Sequence, residues 1–161
     1  RPYFLHSVVR RWNYSAEPVA REKLFSAACG IIISPGPPAR EADMYSVGID
    51  VQDIKPFREK PYAAAKRFHE RIFTAGEIES CASRADAADG FAARFAAKEA
   101  VMKALGPKRI FPKDIEISKD PDGRPFVTLR RKSVLPENHA VSISISHTGD
   151  VAAAVAIVHP L

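Results

Sequence analysis

The chain has 161 residues, 46% of them hydrophobic and 27% charged, with a net charge of +5, which is enough for one domain with a real core. No apolar run is long enough to cross a bilayer, and Cys29, Cys81 and five scattered histidines lack zinc-site or disulfide-framework spacing, so a reducing compartment fits. The positive charge favours an anionic partner: nucleic acid, a phosphorylated small molecule or an acidic protein.

Residues 1–43 differ in character from the remainder of the chain. They hold six Lys/Arg against four Asp/Glu, show no sustained period, and end in "ISPGPPAREAD", a Pro/Gly-rich linker. They are expected to be an extension peripheral to function. An organelle-targeting role fits their arginines but not their glutamates and prolines. The functional domain is expected over residues 44–161.

"MYSVGIDV" (44–51) reads as a strand that runs out near Asp50. "PYAAAKRFHERIF" (61–73) predicts a helix with Pro61 in its first turn. Thr74 and Glu77 have capping-box spacing and open a second short helix through about Cys81. "SRADAADG" is a loop with Asp89 as candidate N-cap, and residues 91–105 form a long helix that Gly106-Pro107 ends. "DIEIS" (114–118) and "FVTLR" (126–130) flank the turn "KDPDGRP" and predict a hairpin. "AVSISISH" (140–147) alternates strictly, with Val141, Ile143 and Ile145 on one face and Ser142, Ser144 and Ser146 on the other. After "TGD", "VAAAVAIV" (151–158) returns as a strand of small buried residues. The expected fold is α+β, a mostly antiparallel sheet packed with one long helix.

The long helix carries the first chemical signal. Phe91, Phe95, Met102 and Leu105 form its core stripe. Arg94 and Lys98 are four apart and share a face; Glu99 and Lys103 share a neighbouring one. Solvated cations plus a Glu–Lys pair would account for this. So would a metal and an anionic substrate, because Asp50 and Glu99 together suit Mg²⁺, whose shell substrate phosphates usually complete. His147 beside Ser146 and Thr148 is either a turn histidine or a donor to phosphate or adenine. Arg124, at the tip of "DPDGRP", is either a turn residue or an anion contact.

Taken in order, "VGIDVQDI", "FAARFAAKEAVMKALG", "DIEISKDPDGRP" and "VSISISHTGDVAAAVAIV" resemble holo-acyl-carrier-protein synthase, the short class of phosphopantetheinyl transferases. The resemblance covers about residues 45–158. It implies the phosphopantetheinyl transferase fold and Mg²⁺-dependent transfer of 4′-phosphopantetheine from coenzyme A to a serine of apo acyl carrier protein, releasing adenosine 3′,5′-bisphosphate. It implies Asp50 and Glu99 as metal ligands and Lys103 as a pyrophosphate contact. Glu99, acting through a metal-bound water, is the expected base. Arg94, Lys98 and His147 would hold coenzyme A phosphates and adenine, and Gly123, Arg124 and Pro125 would line the nucleotide site. "AKRFHERIF" is similar to the family's carrier-docking helix, so Lys66, Arg67 and Arg71 would meet the acidic carrier. Where the family often has Arg after G-I-D, this chain has "KPFR", with Lys55 or Arg58 as substitutes. The resemblance also implies a cytoplasmic homotrimer with active sites between subunits, and neither nucleic-acid nor membrane partners.

Three alternatives compete. A nucleic-acid-binding domain fits the charge but has no motif, and Asp50 and Glu99 would oppose backbone phosphates. A different Mg²⁺-dependent nucleotide enzyme lacks the GxxxxGK[ST] loop. The longer, pseudodimeric transferase class exceeds this length.

Overall fold

In the computed structural model, residues 45–106 and 110–161 are described; the expectations for residues 1–43, Met44 and Pro107 lie outside them. The elements run β1 (Ser46–Asp53), α1 (Lys55–Glu59), α2 (Lys66–Ile72), α3 (Ala75–Ala82), α4 (Ala87–Leu105), β2 (Ile115–Lys119), β3 (Pro125–Leu129), β4 (His139–Thr148) and β5 (Val151–Pro160). One sheet has strand order β1-β5-β4 and the other pairs β2 with β3; all these pairings are antiparallel, as expected for the α+β fold.

β1 does not run out at Asp50. It pairs with β5 from Ser46↔Val158 to Asp53↔Val151, so Asp50 sits inside the strand. Its alternation is inverted relative to an ordinary half-buried strand. Val47, Ile49 and Val51 point to the exposed face, while Gly48 and Asp50 are buried against α4. The small residues of β5 explain how a helix fits there: Ala152, Ala154 and Ala156 are buried on the same inner face. β4 follows its predicted period, with Val141, Ile143 and Ile145 packed on the core and Ser142, Ser144 and Ser146 exposed.

α4 is a central helix rather than a surface one with a solvated charged face. Phe91, Phe95, Met102 and Leu105 are buried as expected, but so are six alanines, Arg94 and Lys98. Alanine is a strong helix former and lets neighbouring backbones approach on every side. The closest approach is at Gly48. A Cβ there would stand 2.0 Å from the Ala100 carbonyl oxygen, 2.6 Å from the Ala104 nitrogen and 2.9 Å from Lys103 Cβ. Only glycine lets α4 lie on β1 at this spacing.

The helical segment before α4 is divided differently from the sequence expectation. Pro56 opens α1, whose Phe57 is buried, so "KPFRE" is a helix of its own. Pro61 starts a turn, accepting from the Ala64 and Ala65 amides at 3.0 Å each, and the next helix begins only at Lys66. The Thr74 capping box forms: Thr74 Oγ1 accepts from the Glu77 amide at 3.3 Å and the Thr74 amide donates to Glu77 Oε2 at 2.8 Å. Asp89 lies in the first turn of α4, and Asp86 holds the N-cap position. Gly106 at φ 74 ends the helix.

Candidate active site

The close contact at Gly48 sets the site two residues further along β1. Asp50 shares Gly48's face, so its carboxylate is brought against the last turns of α4. Lys103 Nζ donates to Asp50 Oδ1 at 2.8 Å and to the Ile49 carbonyl at 2.8 Å. Asp50 is nearly enclosed, with its side chain 10% exposed, whereas Lys103 is 47% exposed. Gln52, on the same face, donates from Nε2 to Asp50 Oδ2 at 2.6 Å. Glu99, one turn before Lys103, completes the group. Its Oε1 is buried without a hydrogen-bond partner. Burial raises its pKa above the usual carboxylate range, the Asp50 charge adds to this, and Lys103 partly opposes both.

Thus Asp50, Glu99 and Lys103 converge, although 49 positions separate the two carboxylates in sequence. Lys103 pairs with Asp50 across elements, not with Glu99 along the helix, as the simple i,i+4 reading would have it. Among the described residues no cluster of three or more His, Cys, Asp or Glu side chains gathers to hold a metal. The site offers two carboxylates, Asp50 and Glu99, beside the half-exposed ammonium of Lys103.

His147 shares the inner face. It lies opposite Ala152, which is opposite Gln52, so the row Gln52–Ala152–His147 crosses the sheet next to the row of Asp50. Two strand spacings put it roughly 10 Å from Gln52. It is exposed, and near enough to Asp86 to help hold that carboxylate low, behind the larger effect of the Arg84 hydrogen bond.

Two expected anion contacts fall elsewhere. Lys98 is fully buried and ion-paired with Glu77 at 2.7 Å. Its Nζ also donates to the carbonyls of Ile72, Pro112 and Ile115 at 3.0, 2.8 and 2.7 Å. An ammonium with four acceptors and no solvent access cannot serve a soluble phosphate. Burial lowers its pKa, with Glu77 opposing. Lys98 instead ties α4 to the end of α2, to α3 and to β2. Arg94 is also buried, and its guanidinium reaches Ser80 Oγ at 3.0 Å and the Gly90 carbonyl at 3.3 Å, toward α3. Helical spacing gave the shared face correctly, but not that this face lies under α3.

Gly123 takes φ 83 at the tip of the β2–β3 hairpin and Pro125 opens β3. Arg124 is 76% exposed and pairs with Asp122 at 2.8 Å and Asp120 at 3.6 Å on its own turn. Lys66, Arg67 and Arg71 are exposed on α2. Of the two candidates near Pro56, Lys55 is exposed and only 3.9 Å from Glu59. Arg58 is committed within the chain: it pairs with Asp150, bonds the Gly149 carbonyl at 3.0 Å and reaches Asp89 at 3.4 Å, pinning the β4–β5 turn to α4. Gln52 and Gly48 are the site residues that sequence reasoning missed. Both lie in "VGIDVQD" at even spacing from Asp50, a period-two signal that would have put them on its face.

Comparison with known proteins bears on this geometry. A sequence profile described as the 4′-phosphopantetheinyl transferase superfamily matches residues 46–156. A holo-[acyl-carrier-protein] synthase of Chlorobaculum parvum is 39% identical over 118 residues, covering 71% of this chain and 98% of the relative. The crystal structure of a Bacillus anthracis holo-(acyl-carrier-protein) synthase in complex with CoA (3′,5′-ADP) superposes with a TM-score of 0.60 at 29% identity, covering 72% of this chain and 96% of that one. The Helicobacter pylori holo-[acyl-carrier-protein] synthase in complex with coenzyme A gives 0.59 at 32% identity, covering 70% and 98%.

Proposed function

Because the chain belongs to the 4′-phosphopantetheinyl transferase superfamily, we propose that it is a holo-[acyl-carrier-protein] synthase working at the Asp50–Glu99–Lys103 cluster. It transfers 4′-phosphopantetheine from coenzyme A to a serine of apo acyl carrier protein and releases adenosine 3′,5′-bisphosphate. The convergence of these three side chains carries the reading, since it sets two carboxylates beside an accessible ammonium.

The residues fit Mg²⁺. Glu99 Oε1 is a buried oxygen that no protein donor satisfies, and Asp50 stands beside it. A pair of carboxylates completed by substrate phosphates is this ion's usual arrangement. Asp50 and Glu99 would hold Mg²⁺, which would supply a Lewis acid for the pyrophosphate. Lys103, half-exposed at the same spot, binds phosphate oxygens and offsets the charge that develops on them. Glu99 is read as the base that receives the serine proton. The serine oxygen forms the new P–O bond while the P–O bond to adenosine bisphosphate breaks. His147, on the inner face beyond Gln52, and the turn at Gly123, Arg124 and Pro125 are read as contacts to the nucleotide end.

The catalytic domain is read as residues 44–161, with 1–43 an extension outside it. Lys66, Arg67 and Arg71 on α2 offer a basic face to an acidic carrier, where charge complementarity speeds encounter. Assembly as a homotrimer, with coenzyme A bound between subunits, is supported by the outward face of the larger sheet. There Val47, Ile49, Val51 and Ile157 are exposed side by side, an apolar patch suited to a partner subunit. The described residues include no helix long and apolar enough to cross a membrane, and the enzyme is read as acting in the cytoplasm.

The direct test is the intact mass of apo acyl carrier protein after incubation with this chain, coenzyme A and Mg²⁺. A gain of one phosphopantetheine, absent with Asp50→Ala or Glu99→Ala and after chelation, is the expected result. No gain with folded protein and several carriers would overturn the reading.

A further inference from the structure

We infer that Gln52 is a positioning residue for the metal site: its amide holds Asp50 aimed at Glu99, and this chain's affinity for a divalent cation depends on it. The inference rests on the metal role of Asp50 proposed above. Both oxygens of that carboxylate are engaged, Oδ1 by Lys103 and Oδ2 by Gln52 at 2.6 Å. The two donors are not equivalent. Lys103 is 47% exposed on a flexible stem, and phosphate oxygens compete for its ammonium. Gln52 is half-buried on the same strand two residues away, where period two fixes its side chain beside Asp50 whatever occupies the site.

Glu99 gives Asp50 no help. Both are carboxylates, which only accept hydrogen bonds when ionised, so neither can hold the other in place. Asp50 needs a donor that neither leaves with substrate nor adds a positive charge competing with the metal. A neutral amide meets both conditions. A carboxylate oxygen has two lone pairs, so Oδ2 can keep the Gln52 bond and still ligate a cation. Partners that orient ligating groups in this way typically contribute about 10–100-fold in metal affinity or activity.

The experiment is Mn²⁺ binding to the full chain with saturating coenzyme A, followed by the electron paramagnetic resonance signal of free Mn²⁺. Gln52→Leu and Gln52→Met keep the volume and remove the donor; two variants guard against one failing to fold. The expected result is Mn²⁺ affinity weakened roughly 10–100-fold in both, with thermal midpoints close to wild type. Unchanged affinity in both, beside a clear loss in Asp50→Ala, would overturn the role of Gln52 and leave the metal site standing. Unchanged binding in Asp50→Ala would overturn the metal-site reading and this inference with it.

Discussion

Gly48→Ala tests whether the contact between β1 and α4 builds the active site. The new methyl would stand 2.0 Å from the Ala100 carbonyl oxygen, where ordinary contact begins at 3.4 Å. The helix backbone must therefore retreat by about 1.4 Å, because neither the carbonyl nor the Ala104 nitrogen at 2.6 Å can rotate away. Overpacking a core usually costs about 1–3 kcal/mol, and a clash with helix backbone belongs at or above the top of that range. For a domain of this size about 3 kcal/mol corresponds to a fall in thermal midpoint of roughly 12 °C. The same movement stretches the 2.8 Å Lys103–Asp50 contact beyond ion-pair range and opens the gap between Asp50 and Glu99. A displacement of about 1 Å at reacting groups is worth about 10²-fold in rate. Urea unfolding and the carrier-mass assay, run below the variant's midpoint, measure the two effects separately. A variant within about 1 kcal/mol of wild type with transfer intact would show that the β1–α4 contact does not build the site.

Lys98→Met should destabilise by roughly 3–5 kcal/mol in urea unfolding, because it strands buried Glu77 without its cation. The KM for coenzyme A of the folded enzyme should change little; a large rise in KM at full stability would restore Lys98 as a phosphate contact. Glu99→Gln should abolish transfer yet raise the thermal midpoint of the metal-free protein at neutral pH. The folded pKa of Glu99 lies above its unfolded value, so its ionisation erodes stability as pH climbs from the ordinary carboxylate range through the folded pKa. The gain from glutamine should therefore vanish at about pH 4, where the carboxyl is protonated in the fold, in thermal scans across that range. Ile49→Glu, 64% exposed on the outward apolar face, should give a monomer by sedimentation and a weaker enzyme without loss of the fold. An unchanged assembly would remove that face from the subunit contact.

Much of this protein is local and legible in the residues alone. Gly106 marks the end of α4, the Thr74–Glu77 spacing forms its capping box, and period two in β4 sorts isoleucine from serine. The motif order pointed to Asp50, Glu99 and Lys103 as one group. Which side of each element meets another was left to tertiary packing. Lys98 and Arg94 looked like two exposed cations because helical spacing reports a shared face, not what covers it; the Glu77 and Ser80 side chains of α3 and the carbonyls of Ile72, Pro112 and Ile115 cover it here. Asp50 looked like a strand end because its alternation is inverted, and only pairing through Asp53↔Val151 carries β1 past it. Gly48 and Gln52 have no chemistry of their own to announce. Their roles exist only where α4 lies on β1, since a missing side chain and a neutral amide acquire function from the atoms that packing brings within about 3 Å.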